Sequence, residues 1–317
     1  MAILLRESDV NKLATMGMAL EAVEEAFRLQ AENKADNAPR RRSKLARGLL
    51  HVMSASLPTL GLAGLKSYTS VEGKTTFHVL LYGGDDGRLL ALIEANLLGQ
   101  LRTGAATGIA TKYMARANAA KVGIFGTGFQ ARSQLAAVCA VRPIQAITAY
   151  GRDQERREEF CRDMGATLGI SVTPGTSPEQ AAREMDIVIT ATNSKEPVFN
   201  GAWLAAGTHV NAAGSNSLSR RELDAETVRR AACVVVDSIE QSQLEAGDLA
   251  GAVEAGAFYW EDARELGSVV TGEFPGREDD SEITIFKSNG IALEDVAFAG
   301  RIYQAAVKAG IGERLPF

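Results

Sequence analysis

Apolar and polar positions along the chain follow two different rhythms. In the first third, short apolar runs follow one another with little helix between them. Ile3-Leu4-Leu5 predicts a strand, with Ser8 or Asp9 placed to cap what comes next. Ala19, Val23, Ala26 and Phe27 recur at helical spacing within Gly17 to Asn33, which predicts an amphipathic helix broken by Asn37-Ala38-Pro39. Arg40-Arg41-Arg42 reads as a basic loop. Leu49 to Met53, Gly64 to Thr69, Phe77 to Tyr82 and Leu89 to Glu94 read as strands, the last two joined by the turn Gly83-Gly84-Asp85-Asp86-Gly87. Strands in series predict a mostly antiparallel or mixed sheet. A helix rich in small residues, Gln100 to Tyr113, ends this part.

From Val122 the rhythm becomes alternating strand and helix. Strands are expected at 122–125, 146–150, 171–173, 186–192, 208–213 and 233–237, with helices at 129–141, 153–164, 177–185 and 220–231 between them. That alternation is the doubly wound α/β pattern with a parallel sheet. Glu282 to Gly290 gives a last strand and turn, and Ala292 to Ala309 a final helix with Val296, Ala299, Ile302, Tyr303 and Ala306 on one face. The fold class expected is therefore α/β. A Rossmann domain over 116–292 is inserted into a smaller α/β domain built from 1–115 and 293–317.

Chemistry enters at Gly126-Thr127-Gly128-Phe129-Gln130-Ala131, directly after the apolar strand Val122 to Phe125. In a Gly-x-Gly-x-x-Ala turn the first glycine permits the tight bend and the second lets backbone approach a pyrophosphate. The small third residue lets helix and strand pack closely. Anions then sit on the helix N-terminus. Gly126, Thr127, Gly128 and Gln130 are the candidate phosphate cradle. The second strand of such a fold commonly ends in a carboxylate that grips the ribose 2′-hydroxyl. Here it ends Tyr150-Gly151-Arg152, and an arginine suits a 2′-phosphate, which favours NADP. Asp153, one residue on, keeps NAD open. Thr192 and Asn193 close a later strand where ligands bind in such sheets. Ser215, Lys287 and Ser288 are further candidates for the ribose and nicotinamide.

Two cations sit oddly in the first part. Lys66 lies inside an otherwise apolar strand, either an edge residue with its head in water or a group pointing into a site. Arg102 opens a predicted helix, where a cation opposes the dipole unless an anion shares the place.

Composition excludes more than it assigns. The 317 residues carry a formal net charge of −5, against the basic footprint of a nucleic-acid binder. Cys139, Cys161 and Cys233 are widely spaced with no Cys-x-x-Cys, so free thiols and no metal site are expected. Neither a secretory leader nor a membrane span is read in the chain, and a cytoplasmic location is the expectation.

The ordered pieces Pro39-Arg40, Leu65-Lys66, Leu101-Arg102-Thr103-Gly104-Ala105, the glycine turn, Arg221-Glu222-Leu223-Asp224, Ala246-Gly247-Asp248-Leu249 and Thr284 to Gly290 resemble the ornithine cyclodeaminase/mu-crystallin family. The resemblance implies a homodimer that handles small α-amino or α-imino acids with a nicotinamide cofactor. It implies that Arg40, Lys66 and Arg102 hold the substrate carboxylate, with Arg41 and Arg42 as alternatives to Arg40. Two positions depart from the cyclodeaminases of that family. Asn216 replaces an aspartate that serves the substrate's distal amine, which argues against ornithine cyclisation. His51 replaces a glutamate and, with Lys66, is a candidate proton donor. The expected activity is reduction of a cyclic ketimine such as Δ1-pyrroline-2-carboxylate or Δ1-piperideine-2-carboxylate by NAD(P)H. The alternatives are a linear imine (iminosuccinate reduction or alanine dehydrogenation), ornithine cyclodeamination, and a non-catalytic binding protein.

Overall fold

The structure, a computed structural model, describes residues 2–316. It divides into two compact units, residues 1–102 with 290–317, and residues 103–289.

The chain begins with β1 (Ile3–Leu5), α1 (Glu7–Leu13) and α2 (Met16–Ala31). Neither Ser8 nor Asp9 is the cap of α1: Arg6 holds that position, and Asp9 folds back to accept from its N–H. Five longer strands follow: β2 (Asp36–Leu45), β3 (Gly48–Leu57), β4 (Leu62–Val71), β5 (Lys74–Gly83) and β6 (Leu89–Glu94), and then α3 (Asn96–Met114). The three arginines expected in a loop are in β2. This strand is polar along most of its length because it is an edge strand with one face in solvent.

In the second unit β7 (Lys121–Phe125) leads through the glycine turn to α4 (Phe129–Val141). β8 (Ala146–Tyr150), α5 (Gln154–Leu168), β9 (Ser171–Pro174), β10 (Ile187–Thr190) and β11 (His209–Ala212) follow. After them come α6 (Ala225–Arg229), β12 (Ala231–Val236), α7 (Ile239–Glu245), α8 (Gly247–Glu254), β13 (Arg264–Glu265), α9 (Leu266–Val270) and β14 (Ile283–Lys287). Two expected helices are much reduced. Residues 177–185 form only a single 3-10 turn at Glu179–Ala181. Of 220–231, only five residues after the Asp224 cap are helical, because Glu222 and Leu223 give their N–H groups to Asp248 instead.

All eight strands of this unit pair in parallel, in the order β13-β12-β14-β11-β10-β7-β8-β9. Chain order runs one way from β7 to β9 and the other way from β10, so the order reverses beside β7. Ligands in open parallel sheets bind outside the carboxyl ends of the strands at such a reversal. Apolar layers built on Val122, Ile124 and Leu135, and on Val188, Val210 and Ile285, cover the sheet's faces. This is the doubly wound sheet the sequence predicts.

The chain then returns to the first unit with α10 (Ala292–Ala309) and β15 (Glu313–Arg314). The first unit's sheet has the order β15-β1-β6-β5-β4-β3-β2. It is mixed, because β1 lies parallel to β6 while the other pairs are antiparallel. One face of it packs against α10, which is buried through its first two turns. Met53, Val79, Leu81 and Ile93 build the core beneath it.

One irregularity of this sheet places a functional side chain. Ala38 pairs with Ser54 and Arg41 with Val52, so Pro39 and Arg40 together face the single residue Met53. A β-bulge re-aims the residues it displaces, and edge strands and bulges are where a strand tolerates proline. Downstream of the extra residue, Arg40 and Arg42 lie on the face of His51 and Met53 and Arg41 on the other, but of the three Arg40 alone is buried, Arg41 and Arg42 both being exposed.

Candidate functional site

Three cations meet on the inner face of the first unit's sheet. Lys66 comes from β4, which lies between β3 and β5 and is therefore no edge strand; it is 2% exposed. Burying an ammonium is costly unless it is paired. The pair is Asp295 in the first turn of α10, whose Oδ1 lies 2.8 Å from Lys66 Nζ. Desolvation, reinforced by Arg102 and opposed by Asp295, pulls the Lys66 ammonium down to about 8.

Arg102 does not open its helix. α3 begins at Asn96, so Arg102 lies almost two turns in, beyond the reach of the dipole argument. What makes the buried guanidinium tolerable is a pair of carboxylates. Nη1 contacts Glu294 at 2.7 Å and Nε contacts Asp295 at 3.0 Å. Glu294 and Asp295 are themselves fully buried at the N-terminus of α10, where the helix dipole favours negative charge. Arg40, brought in by the bulge, donates from Nη2 to the Gly290 carbonyl at 2.8 Å and from Nε to the Met53 sulfur at 3.2 Å. Arg40, Lys66 and Arg102 are thus buried together beside the Glu294 and Asp295 carboxylates.

An aromatic wall adjoins the cations. His51 stacks on Tyr68 with ring centroids 4.1 Å apart, Tyr68 lies against Phe77, and Lys66 Nζ sits 5.2 Å from the Phe77 centroid. Burial, helped by Arg42 and Arg40, pulls the His51 imidazole down to about 4, so it is neutral near pH 7. Both of its ring nitrogens are buried and make no hydrogen bond. Neutral His51 has an N–H to offer a substrate but is a poor source of a full proton. Of the other histidines, His209 is fully buried between Thr284 and Asn211 and is structural, while His78 is half-buried in β5.

In the second unit, Gly126 adopts φ +105°, and a Cβ there would lie 2.4 Å from the Ala191 carbonyl oxygen, so only glycine fits. Gly128 caps α4 without any side-chain hydrogen bond, and a Cβ added to it would meet nothing within 4 Å. A helix start with no side-chain cap and open space before it fits a pyrophosphate. Gln130, in the first turn, has a buried Oε1 with no partner. At the end of β8, Arg152 is exposed, and Asp153 is engaged in capping α5 through the Arg156 N–H. No carboxylate ends β8.

Thr192, Asn193, Ser215 and Asn216 lie on the loops after β10 and β11. A buried charged network that sequence reasoning missed holds these loops. The Glu222 carboxylate accepts from Thr192 N and Oγ1, both at 2.7 Å, from Gly214 N at 2.8 Å and from Thr190 Oγ1 at 3.0 Å. Burial pushes the Glu222 carboxyl up, with Lys287 pulling the other way. Lys287 is fully buried, 3.1 Å from Asp248, and donates to the Ser215 carbonyl at 2.6 Å. Ser288 donates to Asp237, which also takes the Asn289 N–H. Lys287 thus holds the backbone of the loop after β11, while the Ser288 hydroxyl is turned to Asp237. Glu222 and Asp248 both stand in pieces that carry the family resemblance, the only signal the sequence held for them.

Fold and site together define a two-unit α/β protein with a Rossmann sheet and a separate cationic cluster. A model of the ornithine cyclodeaminase/mu-crystallin family matches residues 2–310. The chain belongs to that family. A Delta(1)-pyrroline-2-carboxylate reductase of Bacillus cereus is 39% identical, the match covering 84% of each chain. The solved Delta(1)-pyrroline-2-carboxylate reductase of Thermococcus litoralis, in complex with NADH and L-proline, is 36% identical with a TM-score of 0.95 and covers 99% of this chain and 100% of its own. An archaeal alanine dehydrogenase, solved as a dimer with bound NAD, is 37% identical with a TM-score of 0.94, covering 100% of this chain and 99% of its own. No helix among the described residues is long and apolar enough to cross a membrane.

Proposed function

We propose that this NAD(P)-dependent oxidoreductase reduces a small cyclic α-imino acid, of the Δ1-pyrroline-2-carboxylate or Δ1-piperideine-2-carboxylate type, to the L-amino acid. The observation that carries the reading is the cluster of Arg40, Lys66 and Arg102, three cationic side chains buried together. Such a cluster suits a carboxylate, because guanidinium and ammonium groups fix its orientation by charge-assisted hydrogen bonds. The flat wall of His51 and Tyr68 suits a planar ring.

A bound reduced nicotinamide would supply the hydride that such a reduction needs. The protein's part is to hold the carboxylate, exclude water and deliver a proton to the nitrogen. Lys66 fits that last role: with its ammonium near 8 it is charged at neutral pH yet acidic enough to give up a proton. As the C=N π bond is reduced at carbon, nitrogen would take the Lys66 proton, and solvent would return a proton to neutral Lys66. His51 donates a hydrogen bond to the substrate. Gly126, Thr127, Gly128 and Gln130 would hold the pyrophosphate, and Thr192, Asn193 and Ser215 would hold the ribose and nicotinamide. Arg152 would take the 2′-phosphate of NADPH. Asn216 offers no charge to a distal ammonium, which supports reduction over ornithine cyclodeamination.

The second reading is reduction of a linear imine. The likeness to the archaeal alanine dehydrogenase supports imine formation from pyruvate and ammonia, and Arg42 opposite His51 would favour a second carboxylate, as in iminosuccinate. A homodimer is part of the proposal, supported by the dimeric state of that relative.

The test is NADPH and NADH oxidation by the purified protein with Δ1-pyrroline-2-carboxylate, Δ1-piperideine-2-carboxylate, oxaloacetate plus ammonia, and pyruvate plus ammonia, and L-ornithine run alongside. Turnover of a cyclic imine without proline from ornithine is the expected result. Proline from ornithine would overturn the meaning given to Asn216. Tight cofactor binding with no turnover would favour a binding protein.

A further inference from the structure

The cations expected to hold substrate are themselves held, and one oxygen does most of it. Asp295 Oδ1 lies 2.8 Å from Lys66 Nζ and 3.0 Å from Arg102 Nε, so a single carboxylate oxygen joins a lysine on β4 to an arginine on α3. Asp295 is fully buried in the first turn of α10, with Glu294 beside it on Arg102. The charged and titratable groups around Lys66 are Arg102 on α3, Arg40 on β2, His51 on β3, and Glu294 and Asp295 on α10, with the Phe77 ring on β5. Of these, only Asp295 is in direct contact with Lys66 and opposite to it in charge. An ammonium has three N–H bonds, and Asp295 takes one, which fixes the rotation about the last carbon–nitrogen bond and hence the direction of the others.

We propose that Asp295 is a positioning residue for the reduction: it keeps Lys66 protonated between two arginines and aims its remaining N–H bonds at the substrate. The proposal rests on the reading of Lys66 as proton donor. Without the carboxylate, Lys66 faces Arg102 and Arg40 with desolvation uncompensated, and all of these favour the neutral amine. Neutral Lys66 has no proton to give to an imine and one charge fewer for the substrate carboxylate.

The experiment is the pH dependence of kcat and kcat/KM for imine reduction in the wild type, Lys66→Met, Asp295→Asn and Asp295→Glu. In the wild type, activity should fall as pH rises through the Lys66 ionisation, near 8 in the free enzyme. Asp295→Asn keeps the shape and removes the charge. It should move that limb down by about one pH unit or more and lower kcat about 10- to 100-fold at neutral pH. Asp295→Glu keeps the charge but displaces it, and should leave the limb in place while lowering kcat. Asp295→Asn with an unshifted limb would overturn the proposal, since a merely structural role lowers activity without moving it. If the Asn variant does not fold, the Glu variant decides: unchanged kcat would overturn the proposal. Lys66→Met with full activity, or no imine turned over by the wild type, would instead overturn the underlying reading.

Discussion

Gly290 and Arg102 touch so closely that no side chain fits between them: a Cβ on Gly290 would lie 2.5 Å from Arg102 Nη1, and the glycine holds φ +74°. The Gly290 carbonyl also receives the Arg40 Nη2 hydrogen bond. One residue at the entrance to α10 therefore sets two of the three cations. Gly290→Ala should cost about 1–2 kcal/mol from the left-handed backbone alone and should push Arg102 aside. The expected result is a lower Tm and a higher KM for the imino acid with cofactor Kd unchanged. An unchanged KM would show that the place of Arg102 does not matter to the substrate.

Lys66→Ala and Arg102→Ala should each lower kcat/KM by about 10- to 100-fold or more, the worth of a charge-assisted hydrogen bond. Cofactor Kd, read by fluorescence titration, should hardly change. Arg102→Ala should also lose about 3–5 kcal/mol of stability, because Glu294 and Asp295 are left buried with less compensation. Urea unfolding separates the two effects, and full activity in either variant would show that the carboxylate site lies elsewhere.

Lys287→Met should have the opposite profile. Its ammonium neutralises buried Asp248 and holds the Ser215 carbonyl. Its loss should destabilise the second unit by about 3–5 kcal/mol and weaken cofactor binding more than imino-acid binding. Unaltered cofactor Kd in a folded variant would mean that the loop after β11 does not depend on this network.

Arg152→Asp tests the cofactor. Removing the cation and adding a carboxylate at the end of β8 should weaken NADPH about 10- to 100-fold, the cost of one charge-assisted contact, while leaving NADH unchanged or tighter. Equal weakening of both cofactors would place Arg152 on a shared part of the dinucleotide.

Stability should fall as the solution is acidified from about pH 6.5. His51 and His209 are held neutral by burial, down to about 4 and about 3. The unfolded chain binds protons at both, near the ordinary value of 6.5, while the native state does not. The stabilisation is therefore complete above the unfolded value and lost progressively below it, by on the order of a few kcal/mol at pH 4.5. Urea midpoints between pH 7 and pH 4.5 give the slope, and His209→Asn should flatten it. A flat wild-type profile would contradict the neutral, buried state of these rings.

The parts legible in the sequence are those written in local spacing. Gly126, Gly128 and Ala131 must fall at fixed intervals because one turn of backbone contains them all, and Lys66 stands out because its strand neighbours are apolar. What escaped was set by distant partners. Nothing near Arg102 announces Glu294 and Asp295, which arrive from the far end of the chain. The shortened helix at 220–231 fails because Asp248, in a different helix, takes the N–H groups of Glu222 and Leu223. Strand β2 was hidden by its place at the sheet edge, where solvent on one face erases the apolar signal.

The offset in β2 uncouples two things a regular strand ties together, the parity of a residue's number and the side of the sheet it occupies. Before Pro39 the odd positions look inward; after it the even ones do. A chain that lost the extra residue ahead of its arginines would keep nearly every ladder bond and all three guanidinium groups, yet present a different one to the interior. In this strand the count of residues matters as much as their identity. A search for working variants by substitution alone would never sample the change to which the cluster is most sensitive.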